Sequence, residues 1–307
     1  MRSLAEWLAA ARNPRRIGPI TVLVAVCAVA CLWFLPNLPR PRFTESWPAP
    51  EEGWEPWTPA FQGVDVRRAS FSRPRPMKAH AVRIDLQAPG VEAVVHSPDA
   101  SDDGLLKTIY PSDFLLRNGL QVAMSAGSFN PFPYLPGVTI RLDNLGINDG
   151  RQFSAQAPNL DSLLILKDRR AVLFRHFNPM TDHPNALAGV GGMWINLFGG
   201  TNQYERLEAE AASVAGVSED GRYLFWLIVD GRQPGYSEGA TPVETGEMMR
   251  QLGAHDAINM DGGSVVTLVF DDGEGGFEIR NQPCHPFITG VQRPIGGIIG
   301  FRARALP

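Results

Sequence analysis

The stretch LGAHDAINMDGGSVVTLVF, running from Leu252 to Phe270, decides how this chain is read. It passes from a helix end marked by Gly253 through a short buried strand bearing Asn259 and Asp261, a Gly262-Gly263 turn, and a second apolar strand. Asn259 and Asp261 are thereby delivered to a strand end. Two glycines after a carboxylate let backbone approach a ligand closely, and the apolar runs on both sides hold the carboxylate rigidly. Asp-Gly between apolar runs is also a hairpin signal, so a plain turn and a site both stand at this point.

Just upstream, Tyr223 to Val229 (YLFWLIV) is apolar throughout, as expected of a strand buried on both faces in mid-sheet, and it ends at Asp230-Gly231-Arg232. A helix is expected from Pro242 to Leu252, with Thr241 as N-cap, Pro242 at the first position, Glu244 close to the N-terminus and Gly253 as the stop. Between strand and helix, Gly235-Tyr236-Ser237-Glu238-Gly239 matches the G-x-S-x-G elbow of serine hydrolases, and Asp261 and His285 follow in the Ser, Asp, His order. The context disagrees. An elbow joins strand directly to helix, whereas here Asp230 to Pro234 intervene and the helix begins only after Thr241. A serine hydrolase using Ser237 is kept as a lesser alternative, with a turn residue as the default.

Further upstream, the alternation of Val82, Ile84 and Leu86 marks a strand from Ala79 to Leu86, and Val91 to His96 follows a Pro-Gly turn. Pro111 to Gly119 reads as a short helix with Ser112 as N-cap. It feeds a strand from Leu120 to Met124 and then Ser125-Ala126-Gly127-Ser128-Phe129, a second place where small residues follow a buried strand. Ser162 to Leu166 and Ala171 to Phe174 read as a hairpin. The glycines of Ala188 to Thr201 resemble a phosphate-cradling loop, but no Lys-Ser or Lys-Thr follows them. A final strand is expected to open at Arg293 and run to Arg302. Many short strands and few helices give an α+β class with mixed, largely antiparallel sheets.

At the other end, Ile17 to Leu35 carries no charge. As a helix it spans about 28 Å, close to the ~30 Å hydrocarbon core of a bilayer. Arg2, Arg12, Arg15 and Arg16 precede it, so the positive-inside rule puts residues 1–16 in the cytoplasm and the rest of the chain beyond the membrane. An uncleaved transmembrane anchor is favoured over a cleaved signal peptide or a lipoprotein signal ending at Cys31. Residues 36–60, dense in proline and tryptophan, read as a spacer, and residues 61–307 as the folded domain in the periplasm or outside the cell. A net charge of -4 with interspersed signs leaves no footprint for nucleic acid. Only Cys284 lies outside the apolar segment, so no disulfide is expected within the domain, and the six histidines lack zinc-site spacing. The sequence requires no cofactor, assigns no metal ligands, and leaves a divalent cation open.

Taken together, V-D-G-R ending at Arg232, then G-Y-S-x-G-A-T-x-x-E from Gly235 to Glu244, and L-G-A-x-x-A-I-N-M-D-G-G-S from Leu252 to Ser264 resemble the phosphodiester glycosidase family, which includes the lysosomal uncovering enzyme and bacterial exported proteins. Ser125 to Phe129 is similar to that family's upstream N-G-G-x-F segment, and Arg293-Pro294-Ile295 to its C-terminal R-x-V. Three positions depart from the pattern. The upstream asparagine is Ser125 here, the arginine usual before the strand leading to Gly216 is replaced within Glu210 to Ser213, and the asparagine after R-x-V falls at Gly296 or Gly297.

The resemblance implies hydrolysis of a sugar joined through its anomeric carbon to a phosphodiester, in a surface or extracellular polysaccharide. A phosphate ester leaves readily, so general-acid assistance matters less than in ordinary glycoside cleavage. What is needed is a carboxylate near the anomeric centre and cations or N–H groups for the phosphate. Asp261 and Glu244 are the candidate carboxylates, with the helix N-terminus as the competing explanation for Glu244. Asn259 is the candidate for sugar hydroxyls, and Arg293 and Arg232 for phosphate. Asp230, Gly262, Gly263, Ser264, Ser125, Gly127 and Ser237 complete the expected substrate-binding set. The departures motivate a second reading, a non-catalytic glycan-binding or polysaccharide-assembly protein that keeps the pocket.

Overall fold

The computed structural model describes residues 53–98, 104–176, 183–203 and 208–307. The expected cytoplasmic segment, the expected membrane helix over 17–35 and most of the spacer lie outside the described residues. No helix among the described residues is long and apolar enough to cross a membrane. Sheet pairing begins at Gly53, inside the stretch read as a spacer to residue 60, because Gly53–Trp54 and Thr58–Phe61 both add to the strand Val64–Phe71. Trp54 and Trp57 flank the guanidinium of Arg67 there, so the tryptophans are packed on the domain.

The largest sheet runs Gly53–Trp54, Val64–Phe71, Met77–Asp85, Tyr223–Val229, Ala212–Val217, Asp256–Asn259, Trp194–Phe198 and Thr201–Asn202, with Thr58–Phe61 alongside the second of these. A second sheet orders Phe277–Ile279, Leu268–Asp271, Val122–Ser125, Ile298–Arg302 and Glu92–Val95. A third holds the expected hairpin of Ser162–Leu166 and Ala171–Phe174, and a small fourth sheet joins Leu106–Lys107, Thr139–Leu142 and Phe129–Asn130. Every strand pair among the described residues is antiparallel, so the mixed character expected from the sequence is not found there.

Tyr223–Val229 is central, as its composition requires. On one face Trp226 and Ile228 pack with Met124, Phe270 and Phe301 of the second sheet and Leu163 and Val190 of the third. On the other, Phe225, Leu227 and Val229 pack against Met248, Met249 and Leu252 of helix α2, Pro242–Leu252. Burying a large apolar side chain stabilises by about 1.5–3 kcal/mol, and this strand does so on both sides. One polar thread crosses that core: Trp226 Nε1 donates to Ser213 Oγ, which donates to the carbonyl of Ser125 at 2.8 Å.

Helix α2 starts and stops where the sequence indicates, with a full capping box between Thr241 and Glu244 and Gly253 in the left-handed region at its end. Helix α1, Pro111–Asn118, differs from expectation. Its N-cap is Tyr110 without a side-chain cap, Pro111 occupies the first position, and Ser112 lies inside the helix with its Oγ accepting from Gln292 Nε2. The last strand begins at Ile298 rather than Arg293.

The opening stretch is resolved against a hairpin. Asp256–Asn259 pairs within the large sheet, whereas Leu268–Asp271 pairs with Val122–Ser125 and Phe277–Ile279 in the second sheet. Gly262 and a single 3-10 turn, Gly263–Val265, carry the chain from one sheet to the other. The glycines therefore sit at a junction between sheets.

Candidate active site

Three backbone hydrogen bonds fix Asp261 at that junction. Met260 N donates to Ser213 O, Asp261 N to Ala126 O and Gly263 N to Ala211 O, each at 2.8 Å. The ends of Val122–Ser125 and Ala212–Val217 thus meet beneath the carboxylate. Gly127, just past the first of these strands, lets the third sheet approach as well, since a Cβ there would stand 2.6 Å from the carbonyl oxygen of Gly191.

Asp261 Oδ1 accepts from Gly262 N at 2.9 Å, while Oδ2 is inaccessible and has no hydrogen-bond partner among the described residues. Burial pushes its pKa up to about 6. The Gly262 N–H works against that shift, the negative charge of Asp143 adds to it, and Arg293 opposes it. A buried carboxylate with an unsatisfied oxygen is costly unless a ligand uses it, and such groups gather at functional sites.

Asp261 lines a cavity of about 280 Å³ together with Asn259, Gly262, Gly263, Arg232, Trp194, Glu208 and Glu210. Asn259 reaches the cavity from the end of its strand, its backbone carbonyl held by Met193 N and its Nδ2 donating to Met260 O. Arg232 enters from the loop after Val229 with φ of 59°, its guanidinium against Gly263 and its Nε donating to Glu210 Oε2 at 2.5 Å. That pair is half exposed, so it orients the arginine more than it stabilises the fold.

Among the residues expected at the site, Asp261, Asn259, Arg232, Gly262 and Gly263 come together, and the others do not line the cavity. Glu244 Oε2 accepts from Thr241 N at 2.8 Å and pairs with Arg75, so its carboxylate serves the cap of α2. Arg293 is buried. It donates to Ser264 Oγ at 2.7 Å and to the carbonyls of Phe132 and Pro133 and lies over the Tyr134 ring, so it braces the 3-10 turn rather than facing a phosphate. Ser264 is engaged by that arginine, and Ser125 Oγ accepts from Thr267 N, stitching two strands of the second sheet.

Asp230 and Ser237 form a separate buried knot. The Asp230 carboxylate accepts from Asn281 Nδ2, Gln282 N and Tyr236 Oη. Ser237 Oγ donates to the Asp230 carbonyl at 2.6 Å and accepts from Lys78 N at 2.9 Å. With both roles of its hydroxyl filled and no place on the cavity wall, Ser237 is a turn residue and the elbow reading fails. His285 Nδ1 accepts from Phe287 N and does not face it.

Trp194, Glu208, Glu210 and Asp143 escaped the sequence reading. Trp194 stands directly across from Asn259 in the large sheet, a register set by strands 65 positions apart with no local signal. Among the described residues, no group of three or more His, Cys, Asp or Glu is placed to hold a metal ion.

The sequence model of the phosphodiester glycosidase family matches residues 118–302, most of the chain. This protein belongs to the phosphodiester glycosidase family. Among solved structures, it is similar to the zebrafish N-acetylglucosamine-1-phosphodiester alpha-N-acetylglucosaminidase catalytic domain auto-inhibited by its pro-peptide. That match has 16% identity and a TM-score of 0.57, covering 85% of each chain. A Burkholderia pseudomallei K96243 protein named as exported matches at 15% identity and a TM-score of 0.54 over 74% of each chain. A hypothetical protein from Synechocystis matches at 12% identity and 0.53, over 79% of this chain, which spans 62% of that protein's length. At these identities the likeness shows the fold. No curated protein sequence matches the chain.

Where this chain departs from the family pattern, Ser125, Gly296 and Gly297 are all buried. Ser213 Oγ donates to the backbone carbonyl of Ser125, while Ser125 Oγ accepts from Thr267 N. Gly296 and Gly297 leave no room for a side chain, since a Cβ at Gly296 would stand 2.5 Å from Ile140 Cδ1 and one at Gly297 would strike the Gly127 carbonyl.

Proposed function

We propose that this phosphodiester glycosidase hydrolyses a sugar-1-phosphodiester in the cavity above the sheet junction, with Asp261 acting at the anomeric carbon. The observation that carries this reading is the place of Asp261 on the cavity wall, with its Oδ2 held without a hydrogen-bond partner among the described residues. With a pKa near 6, the carboxylate is mostly ionised at neutral pH and able to stabilise an oxocarbenium-like centre or take a proton from water. Asn259 meets sugar hydroxyls, and Arg232, the cation among the described residues of the cavity wall, meets the phosphate. A volume of about 280 Å³ lies at the small end of ligand pockets, roughly 300–1,000 Å³, and suits a single sugar ring.

The substrate in this proposal is a surface or extracellular glycan carrying such a linkage, reached by a domain held outside the cytoplasmic membrane through residues 17–35. The zebrafish relative is named for a sugar-1-phosphodiester, and the charge-free run after Arg2, Arg12, Arg15 and Arg16 supports the anchor. The serine at 125, where the family pattern has asparagine, favours a second reading, glycan binding without turnover. Release of free sugar from a panel of sugar-1-phosphodiesters by the full chain, beside Asp261→Asn, separates the two. Turnover lost in the variant is expected. Absence of turnover on every sugar, with glycan binding retained, would establish the binder instead.

A further inference from the structure

Two loops carry an apolar surface that the proposed reaction does not use. Residues 131–137 (PFPYLPG) and 283–291 (PCHPFITGV) contain no Asp, Glu, Lys or Arg. Phe132 is 50% exposed, Tyr134 46%, Leu135 70%, Phe287 74% and Ile288 57%. Eight large hydrophobic side chains are exposed among the described residues, and these five are gathered on two neighbouring loops. Scattered exposed apolar residues need no explanation, but a contiguous patch of this kind marks a surface meant to be covered.

The loops are joined. The Tyr134 ring lies 5.2 Å from Phe287 and 5.9 Å from His285, and Phe132 leans on buried Phe129 at 5.0 Å. Arg293 anchors the first loop from beneath through the carbonyls of Phe132 and Pro133. Pro131, Pro133 and Pro136 on one loop, and Pro283 and Pro286 on the other, restrict the backbone, so the apolar side chains are held outward. Neither loop lines the cavity, but both are tied to residues next to its wall. Arg293 also holds Ser264, next to Gly263, and the carbonyl of Gln282 accepts from Gln233 Nε2, next to Arg232.

We propose that this patch seats in the interfacial layer of a lipid bilayer and holds the cavity at the membrane surface. Its residue types, aromatic and aliphatic with a tyrosine hydroxyl and no acidic group, are those that partition to the headgroup boundary. The chain itself supplies the occupant. Residues 17–35 form an uncharged run of bilayer length, and the 36–52 segment before Gly53 reaches at most about 60 Å when extended. A domain on so short a tether meets the bilayer at high effective concentration, so a weak apolar contact is enough to orient it. Exposed Arg141, paired with Asn130 at the edge of the first loop, is placed to meet lipid phosphates. This inference rests on the anchor and not on the reaction.

The test uses the full chain in liposomes of phosphatidylethanolamine and phosphatidylglycerol doped with a phosphatidylcholine bearing a diazirine on its acyl chain. After irradiation, lipid adducts are expected on 131–137 and 283–291 as well as on 17–35. The double variant Leu135→Glu, Phe287→Glu should lower loop labelling by about tenfold, with labelling of 17–35 and the melting temperature unchanged. Labelling of 17–35 alone, equal loop labelling in the double variant, or no labelling anywhere overturns the proposal. So does a wild-type dimer in detergent that the double variant disperses, which would assign the patch to a second copy.

Discussion

The guanidinium of Arg232 lies flat against Gly263, so that a Cβ on the glycine would meet Cζ, Nη1 and Nη2, each at 2.9 Å. Both residues have left-handed backbone, with φ of 59° and 68°. Gly263→Ala therefore strains the 3-10 turn by about 1–2 kcal/mol and displaces the arginine from its seat. Thermal denaturation should show a fall of roughly 2–6 °C. Turnover of a sugar-1-phosphodiester should drop about tenfold or more, the value of one charged hydrogen bond to phosphate. Arg232→Ala should match that activity loss with little change in melting, since its ion pair with Glu210 is half exposed. Full activity in Arg232→Ala would remove the arginine from the phosphate-binding role.

Ser237→Ala separates a knot from a nucleophile. The substitution deletes the bond to the Asp230 carbonyl and leaves Lys78 N without its acceptor, at a cost of about 1–3 kcal/mol. A lower denaturation midpoint with kcat within about twofold of wild type is expected, the latter because the residue is off the cavity wall. Abolished turnover in a folded variant would restore the serine hydrolase.

Glu244 makes a parallel case. Glutamine still completes a capping box, so Glu244→Gln should keep the helix and lose only the ion pair with Arg75, within about 1 kcal/mol. Glu244→Ala should cost about 1 kcal/mol or slightly more through the lost cap. Neither change should alter kcat by more than about twofold, as measured by sugar release, because the carboxylate faces the cap and not the cavity.

What was legible in the sequence follows from how far apart the determinants lie. The buried strand Tyr223–Val229 and the capped helix Pro242–Leu252 are local patterns, and both appear where expected. The placement of Asp261 just past a strand end was legible for the same reason, because its strand, glycines and apolar flanks are contiguous. Glu244 and Arg293 do not line the cavity, since a charge near a motif can face the core, a cap or a ligand, and only tertiary contacts decide which. Trp194 and Glu210 depend on registers across the large sheet and with Ala240, and no residue near them in sequence announces a site. The Asp-Gly hairpin alternative failed because local turn chemistry is identical whether the next strand returns to the same sheet or enters another.

The pH response of Asp261 ties stability to activity. Its folded pKa, near 6, lies above the 3.8 of an unperturbed aspartate, so the folded state binds the proton more tightly than the unfolded chain does. The penalty for burying the ionised form is fully present above about pH 6 and is relieved as pH falls through 6 toward 4. Its size is on the order of 3 kcal/mol from the two-unit difference. Asp261→Asn removes the ionisation, so at pH 8 it should melt above wild type, and the gap should close by pH 4. The same variant should lose turnover by a factor of about 100 or more, since the carboxylate is the group proposed to act at the anomeric centre. Wild-type kcat/KM should fall below about pH 6 as the carboxylate protonates. Asp143 contributes to the raised pKa through its charge, so Asp143→Asn should move that acid limb to lower pH while leaving the plateau in place. An Asp261→Asn protein that melts below wild type at pH 8, or an acid limb unmoved by Asp143→Asn, would show that the carboxylate is not the strained, poised group the junction presents.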